Sequence, residues 1–192
     1  MKRVATLTVL FATLPSAFVR AQDPARGEQL AQACAACHGV NGNSTDPQYP
    51  ILAGQTMRYS YLQLKDYKEG RRLDPDMAAV AANMSKDDML SVAAYYSEQK
   101  PISIPFKPDA ERAARGKDLA DATLCTMCHQ GHYQGQNEVP RVAGQHFEYV
   151  RKQLRDFKSR TRTNDAATMT SVAFTLSDED VENIAQYLAG LY

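Results

Sequence analysis

Two short runs of this chain hold residues whose types and spacing could do chemistry: Cys34-Ala-Ala-Cys37-His38 and Cys125-Thr-Met-Cys128-His129. Two thiols separated by two residues, with an imidazole directly after, form the pattern of c-type haem attachment. Each thiol can add its S–H across one vinyl group of a porphyrin, giving two thioether bonds from one helical turn. His38 and His129 then fall under the iron as axial ligands. All four cysteines lie within these two runs, so none remains for a disulfide. Zinc is the chemical rival for paired cysteines. Against zinc, the pairs are separated by far more chain than a compact ribbon uses, and each carries its histidine immediately attached.

The ligand on the other side of each iron decides the chemistry. A methionine thioether raises the reduction potential and closes the iron to outside ligands, whereas an open site permits oxygen, peroxide or carbon monoxide chemistry. Met77 and Met169 are the methionines that recur in both halves of the chain after the two motifs. Met84 aligns with Leu176, Met89 with Val181 and Met57 with Phe147, which marks core positions, and Met127 sits between its two cysteines. Repetition outweighs the usual reading of a helical methionine as packing, so Met77 and Met169 are the expected sixth ligands. Bis-histidine ligation competes only in the second half, where His132 and His146 are available; the first half has no histidine except His38. His132 lies too close to its motif to reach the opposite face and His146 aligns with Thr56, so surface or packing roles are expected for both.

The elements that must position these groups come in duplicate. Pro50-Ile-Leu-Ala-Gly-Gln55 returns as Pro140-Arg-Val-Ala-Gly-Gln145, and Gln63-Leu-Lys-Asp-Tyr-Lys68 as Gln153-Leu-Arg-Asp-Phe-Lys158. Met77-Ala-Ala-Val-Ala returns as Met169-Thr-Ser-Val-Ala. These offsets run from 90 to 92 residues, which describes an internal duplication rather than a solenoid. The first unit spans 22–100 and the second 109–192. Between them, residues 101–108 hold three prolines, which disfavour helix and predict an extended, stiff connector. Each unit has about 80 residues, marginal for a self-supporting apolar core, so a buried porphyrin would be structural as well as functional.

Each unit reads as helical and closes on an amphipathic helix. Met89, Val92, Ala93 and Tyr96 recur at helical spacing, as do Val181, Ile184, Ala185 and Leu188. Ser85 and Ser177 precede these helices with Asp88 and Asp180 three residues on, as in a capping box. Gly27 and Gly116, in the helices before the motifs, would admit a closely crossing helix or serve as helix-end punctuation. Tyr95 and Tyr187 are equivalent and expected to pack in the core. Pro50 and Pro140 follow their histidines by 12 and 11 residues. Their carbonyls could accept the imidazole Nδ1 proton, or the prolines could simply shape turns; spacing alone does not separate the two.

Residues 1–21 have the form of a secretory signal peptide: Lys2 and Arg3, an apolar stretch from Val4 to Val19, then Val19-Arg20-Ala21 at the cleavage position. Thr6, Thr8, Thr13, Pro15 and Ser16 make that stretch weak as a membrane anchor. Cleavage would leave a chain of net charge −3 in a bacterial periplasm. That balance lacks the positive footprint of a nucleic-acid binder.

The two CxxCH motifs, the Pro50–Gln55 and Pro140–Gln145 runs, Gln63-Leu64 and Gln153-Leu154, Met77, Met169 and the closing helices together resemble the dihaem cytochrome c4 family. The resemblance covers essentially the whole chain after residue 21. It implies an all-α fold of two tandem class I cytochrome c domains, each wrapping one covalently bound haem c. It also implies Pro50 and Pro140 carbonyls bonded to the axial histidines, and haems near each other across the domain interface. The family carries electrons in the periplasm between redox proteins, often to a membrane-bound terminal oxidase, with no small-molecule substrate. The second unit departs from the pattern: His129 is followed by Gln130-Gly131, and Arg160 replaces Gly70. These departures are expected to make the two potentials unequal. A dihaem subunit of a dehydrogenase complex, such as a flavocytochrome sulfide dehydrogenase, is the alternative role. A peroxidase would need a vacant iron position, which the repeated methionines oppose.

Overall fold

The computed structural model describes residues 23–192, so the expected leader lies outside it. The described residues are helical, with a single isolated bridge between Gln136 and Val139 and no longer strand among them. In the first half, α1 (Pro24–His38), α2 (Met57–Lys68), α3 (Pro75–Ala82) and α4 (Lys86–Glu98) follow one another. The second half contains α5 (Ala110–Ala122), two short turns α6 (Cys125–Cys128) and α7 (Gln130–Tyr133), then α8 (Phe147–Lys158), α9 (Thr168–Phe174) and α10 (Asp178–Ala189).

Local chemistry sets the helix starts. Asp23 accepts the Arg26 N–H ahead of α1, with Pro24 in the first turn, where a missing N–H is harmless. Both closing helices carry the full capping box: Ser85 and Asp88 exchange side-chain bonds to backbone, and so do Ser177 and Asp180. The faces expected to be apolar are buried, from Met89, Val92, Ala93 and Tyr96 on α4 to Val181, Ile184, Ala185 and Leu188 on α10.

Packing repeats as faithfully as sequence. In the first half α1 crosses α4, α4 lies on α2, and α2 on α3; α5, α10, α8 and α9 make the same chain of contacts. The glycines decide the crossings. A Cβ on Gly27 would sit 2.1 Å from the Ser91 carbonyl oxygen, and one on Gly116 would sit 2.0 Å from that of Asn183. Neither site admits even alanine without moving backbone, which selects close helix approach over helix-end punctuation.

Residues 101–108 form no helix and are packed down against both units. Ile104 is buried with Ile51 and Ala53, and Phe106 lies nearly parallel to Phe147, ring centroids 5.7 Å apart. The direct contact between halves has an approximate twofold character. Arg72 donates to Gln63, Tyr149 and Gln153, while Arg162 donates to Gln153, Tyr59 and Gln63. Each arginine therefore bonds both Gln63 on α2 and Gln153 on α8, plus a tyrosine of the opposite half.

Candidate haem sites

His38 ends α1 and His129 follows α6, and both rings are buried. The Nδ1 of His38 donates to the Pro50 carbonyl at 2.9 Å, and that of His129 donates to the Pro140 carbonyl, also at 2.9 Å. The geometry thus assigns the prolines more than a turn. A spent Nδ1 leaves Nε2 as the free donor atom of each ring. Burial pushes both imidazoles below the ordinary histidine range, and the proline carbonyls pull the other way. A ring kept neutral presents its lone pair to a metal.

The thiols carry no disulfide; Cys37 and Cys128 are exposed, Cys34 and Cys125 half-buried. The two motifs are built differently. α1 runs unbroken through Cys34 and Cys37 to His38, then stops at Gly39, whose φ of 72° is left-handed. The second motif is cut off from α5 by Thr123 and the left-handed Leu124, φ 57°. Spacing explains the break. Gly27 precedes Cys34 by seven residues, but Gly116 precedes Cys125 by nine. Two extra residues in a continuous helix would rotate the thiols by roughly 200° about the axis. The break absorbs them, and each pair of cysteines still lies on one helical turn, at the end of α1 in the first unit and as the separate α6 in the second.

Met77 is half-buried in the first turn of α3, where the Asp74 side chain accepts the Met77 N–H at 3.0 Å. Asp74 adds a weak upward pull on the His38 pKa, behind burial and the Pro50 carbonyl. Met169, in the first turn of α9, packs against the same apolar cluster as Cys125. Of the rival histidines, His132 is exposed. His146 is buried between the halves with its Nε2 donating to the Ser44 carbonyl at 3.1 Å. Met127 is exposed, and Leu176, Met89 and Val181 are core residues.

A family model described as cytochrome c matches residues 24–99 and again residues 113–191. Cytochrome c4 of Pseudomonas aeruginosa is 40% identical over 90% of each chain. The crystal structure of reduced cytochrome c4 from Pseudomonas stutzeri superposes with a TM-score of 0.83 at 36% identity, covering 89% of this chain and all of that one. The chain belongs to the cytochrome c4 family. A thiosulfate dehydrogenase electron acceptor from Thiomonas intermedia is 32% identical over 97% of this chain and 88% of its own. As a cytochrome c4 homologue the chain is a dihaem electron-transfer protein with two covalently bound haem c groups, and the paired cysteines at 34/37 and 125/128 fit that attachment.

The surrounding residues fit the cofactor on independent grounds. Arg72, Arg141 and Arg162 are buried, yet none forms an ion pair among the described residues. Two nitrogens of Arg141, Nε and Nη2, have no hydrogen-bond partner among the described residues. Buried cations without anions are costly, and a porphyrin propionate would carry the charge that Arg141, next to Pro140, lacks. Sequence reasoning passed over these three arginines and gave Gln55 and Gln145 no role. The signal was present, since Arg72 and Arg162 are equivalent in the repeat, as are the two glutamines.

Proposed function

We propose that this cytochrome c4 homologue works as a two-centre electron shuttle whose irons are both closed to small molecules. His38 and Met77 would hold the first iron, His129 and Met169 the second. Cys34, Cys37, Cys125 and Cys128 would anchor the porphyrins, with Pro50 and Pro140 orienting the two imidazoles. Bound haem supplies a reversible one-electron iron couple. The chain's own residues keep Nε2 of each histidine free and hold the rings in one orientation, and Met77 and Met169 would reach the other side of each iron from the first turns of α3 and α9. The observation that carries the reading is the paired 2.9 Å bond from each buried imidazole to its proline carbonyl, made twice in one chain. Closed coordination leaves no place for a substrate, so the chain is read as a carrier and not an enzyme. No helix among the described residues is long and apolar enough to cross a membrane. The signal-like residues 1–21 and the cytochrome c4 relatives support periplasmic exchange between redox proteins of a respiratory chain, a membrane-bound oxidase among them.

The test is the optical spectrum of the oxidised and reduced protein, with and without carbon monoxide. Both haems should show a methionine–iron charge-transfer band and neither should bind the gas. A readily formed carbonyl adduct on either haem would overturn the closed-site reading. The Thiomonas intermedia relative supports a narrower variant, in which a dehydrogenase is the electron donor. Reduction of the purified cytochrome by such an enzyme, faster than by unrelated reductants, separates that variant from the general shuttle.

A further inference from the structure

The peptide groups that hold the two axial histidines are themselves held from the opposite half of the molecule. Gln145 Oε1 accepts the Ile51 N–H at 2.9 Å, and Gln145 Nε2 donates to the Ile51 carbonyl at 2.9 Å. Gln55 does the same in return: Oε1 accepts the Arg141 N–H at 2.7 Å and Nε2 donates to the Arg141 carbonyl at 3.0 Å. Ile51 N–H and the Pro50 carbonyl belong to one peptide unit, as do Arg141 N–H and the Pro140 carbonyl. Those are the carbonyls that accept from His38 and His129. Each Oε1 is also fixed by the N–H of its next residue, Thr56 at 2.9 Å and His146 at 3.0 Å. All four residues are buried, between 1% and 5% exposed.

We propose that Gln145 tunes the first haem and Gln55 the second, each acting across the domain interface through the peptide unit that orients the opposite axial histidine. Resting on the axial-histidine reading above, the inference makes the glutamines positioning residues. Its physics is hydrogen-bond polarisation. An acceptor on a peptide N–H makes the carbonyl of that unit a stronger acceptor, and a dry site strengthens both bonds. A stronger acceptor draws the Nδ1 proton and makes the imidazole a better donor to iron. Better donation favours the oxidised metal. Loss of a glutamine should therefore raise the potential of the haem in the other domain.

The experiment replaces each glutamine in the holoprotein with methionine, which is similar in size and makes neither bond. Potentials come from a redox titration followed by NMR, so that each is assigned to its haem. Gln145→Met should shift the first haem upward and leave the second in place, and Gln55→Met should do the reverse. A loosened interface would move both haems in either variant, and a local effect would move the haem of the mutated domain. Either result, or no shift in either variant, overturns the proposal. If the methionine variants fail to fold, Gln145→Glu and Gln55→Glu retain the Oε1 acceptor. The opposite potential should then stay or fall, and a rise overturns the relay. Loss of the methionine–iron band in the unaltered protein would instead count against the axial reading, so the two failures are distinguishable.

Discussion

The region beside the first thiol of each motif is filled in two different ways. In the first half the ring comes from the closing helix: Tyr96 is buried in a cluster bordered by Cys34 and meets Tyr95 edge-on at 5.2 Å. In the second half the equivalent helical position is Leu188, and the ring comes instead from Tyr133, at the end of α7 just after the motif. Tyr133 meets Tyr187, the counterpart of Tyr95, edge-on at 5.7 Å and shares its cluster with Cys125. Backbone bonds show what Tyr133 replaces. Leu52 and Ala53 donate to the Gly42 carbonyl, and Val142 and Ala143 donate to that of Tyr133. Gly42 has no room for a side chain, since a Cβ there would lie 2.7 Å from the Tyr96 ring. The duplicated units thus conserve a ring at a place in space and not at a place in the chain. The second unit does so with strain, because Tyr133 keeps the left-handed φ of 66° that suits Gly42.

This trade can be broken directly. Tyr133→Gly should destabilise the second unit by about 3 kcal/mol, the cost of an emptied aromatic site less the relieved backbone strain. Leu188→Tyr alone should overpack it, costing about 1–3 kcal/mol. Combined, the two changes rebuild the arrangement of the first half and should recover most of the loss. Guanidinium denaturation of the four holoproteins measures the coupling. Simple additivity would mean that the two rings do not occupy equivalent space.

Much of this molecule was legible in its residues. Cysteine spacing located both haem motifs, and apolar spacing found the buried faces of α4 and α10; the repeat alignment singled out Met77 and Met169 as proposed ligands, and both stand in the first turn of a helix. The Tyr96-to-Leu188 mismatch was visible too, but its compensation was not. Tyr133 is displaced from it by more than fifty residues, and pairing them requires knowing which loop carbonyl anchors which turn. The break at Leu124 escaped for a related reason: the extra residues between Gly116 and Cys125 are countable, but whether a helix bends, breaks or rotates around them depends on tertiary packing. The cross-domain bonds of Gln55 and Gln145 are a property of docking, which periodicity within one unit does not encode.

A smaller difference separates the first crossings. Arg26 on α1 forms an ion pair with Asp88 at the start of α4, whereas its counterpart Arg115 turns to Glu111 on its own helix. Hydrogen bonds from Ser85, then from Arg26, hold the Asp88 carboxyl down at about 2, against an ordinary 3.8. A carboxylate depressed on folding stabilises above its unfolded pKa, and that stability is lost as pH falls from about 4 towards 2. Asp88→Asn should cost about 1 kcal/mol at neutral pH, mostly through the capping box because an exposed pair adds little. The variant should also flatten the acid limb of the stability curve in that window. An unchanged acid limb would mean that the Asp88 carboxylate does not set the acid response of the first unit.

The smallest difference lies just past the ends of α2 and α8. Gly70 and Arg160 both take left-handed φ, 70° and 60°, and both donate back into the last helical turn, to Tyr67 at 3.3 Å and Phe157 at 3.1 Å. Glycine adopts this helix-ending geometry without steric penalty, while a side chain costs roughly 1 kcal/mol or more. Nothing lies within 4 Å of a Cβ built on Gly70, so the penalty there would come from backbone conformation alone. Arg160→Gly should therefore stabilise the second unit by about 0.5–1 kcal/mol, the gain being trimmed by the freedom that glycine adds to the unfolded chain. Gly70→Arg should destabilise the first unit by a similar amount. Thermal unfolding of the two holoproteins reads both signs. If Arg160→Gly lost stability instead, the arginine side chain would be making a compensating contact worth more than the strain. Its departure from the repeat would then be a stabilising feature of the second unit rather than a tolerated one.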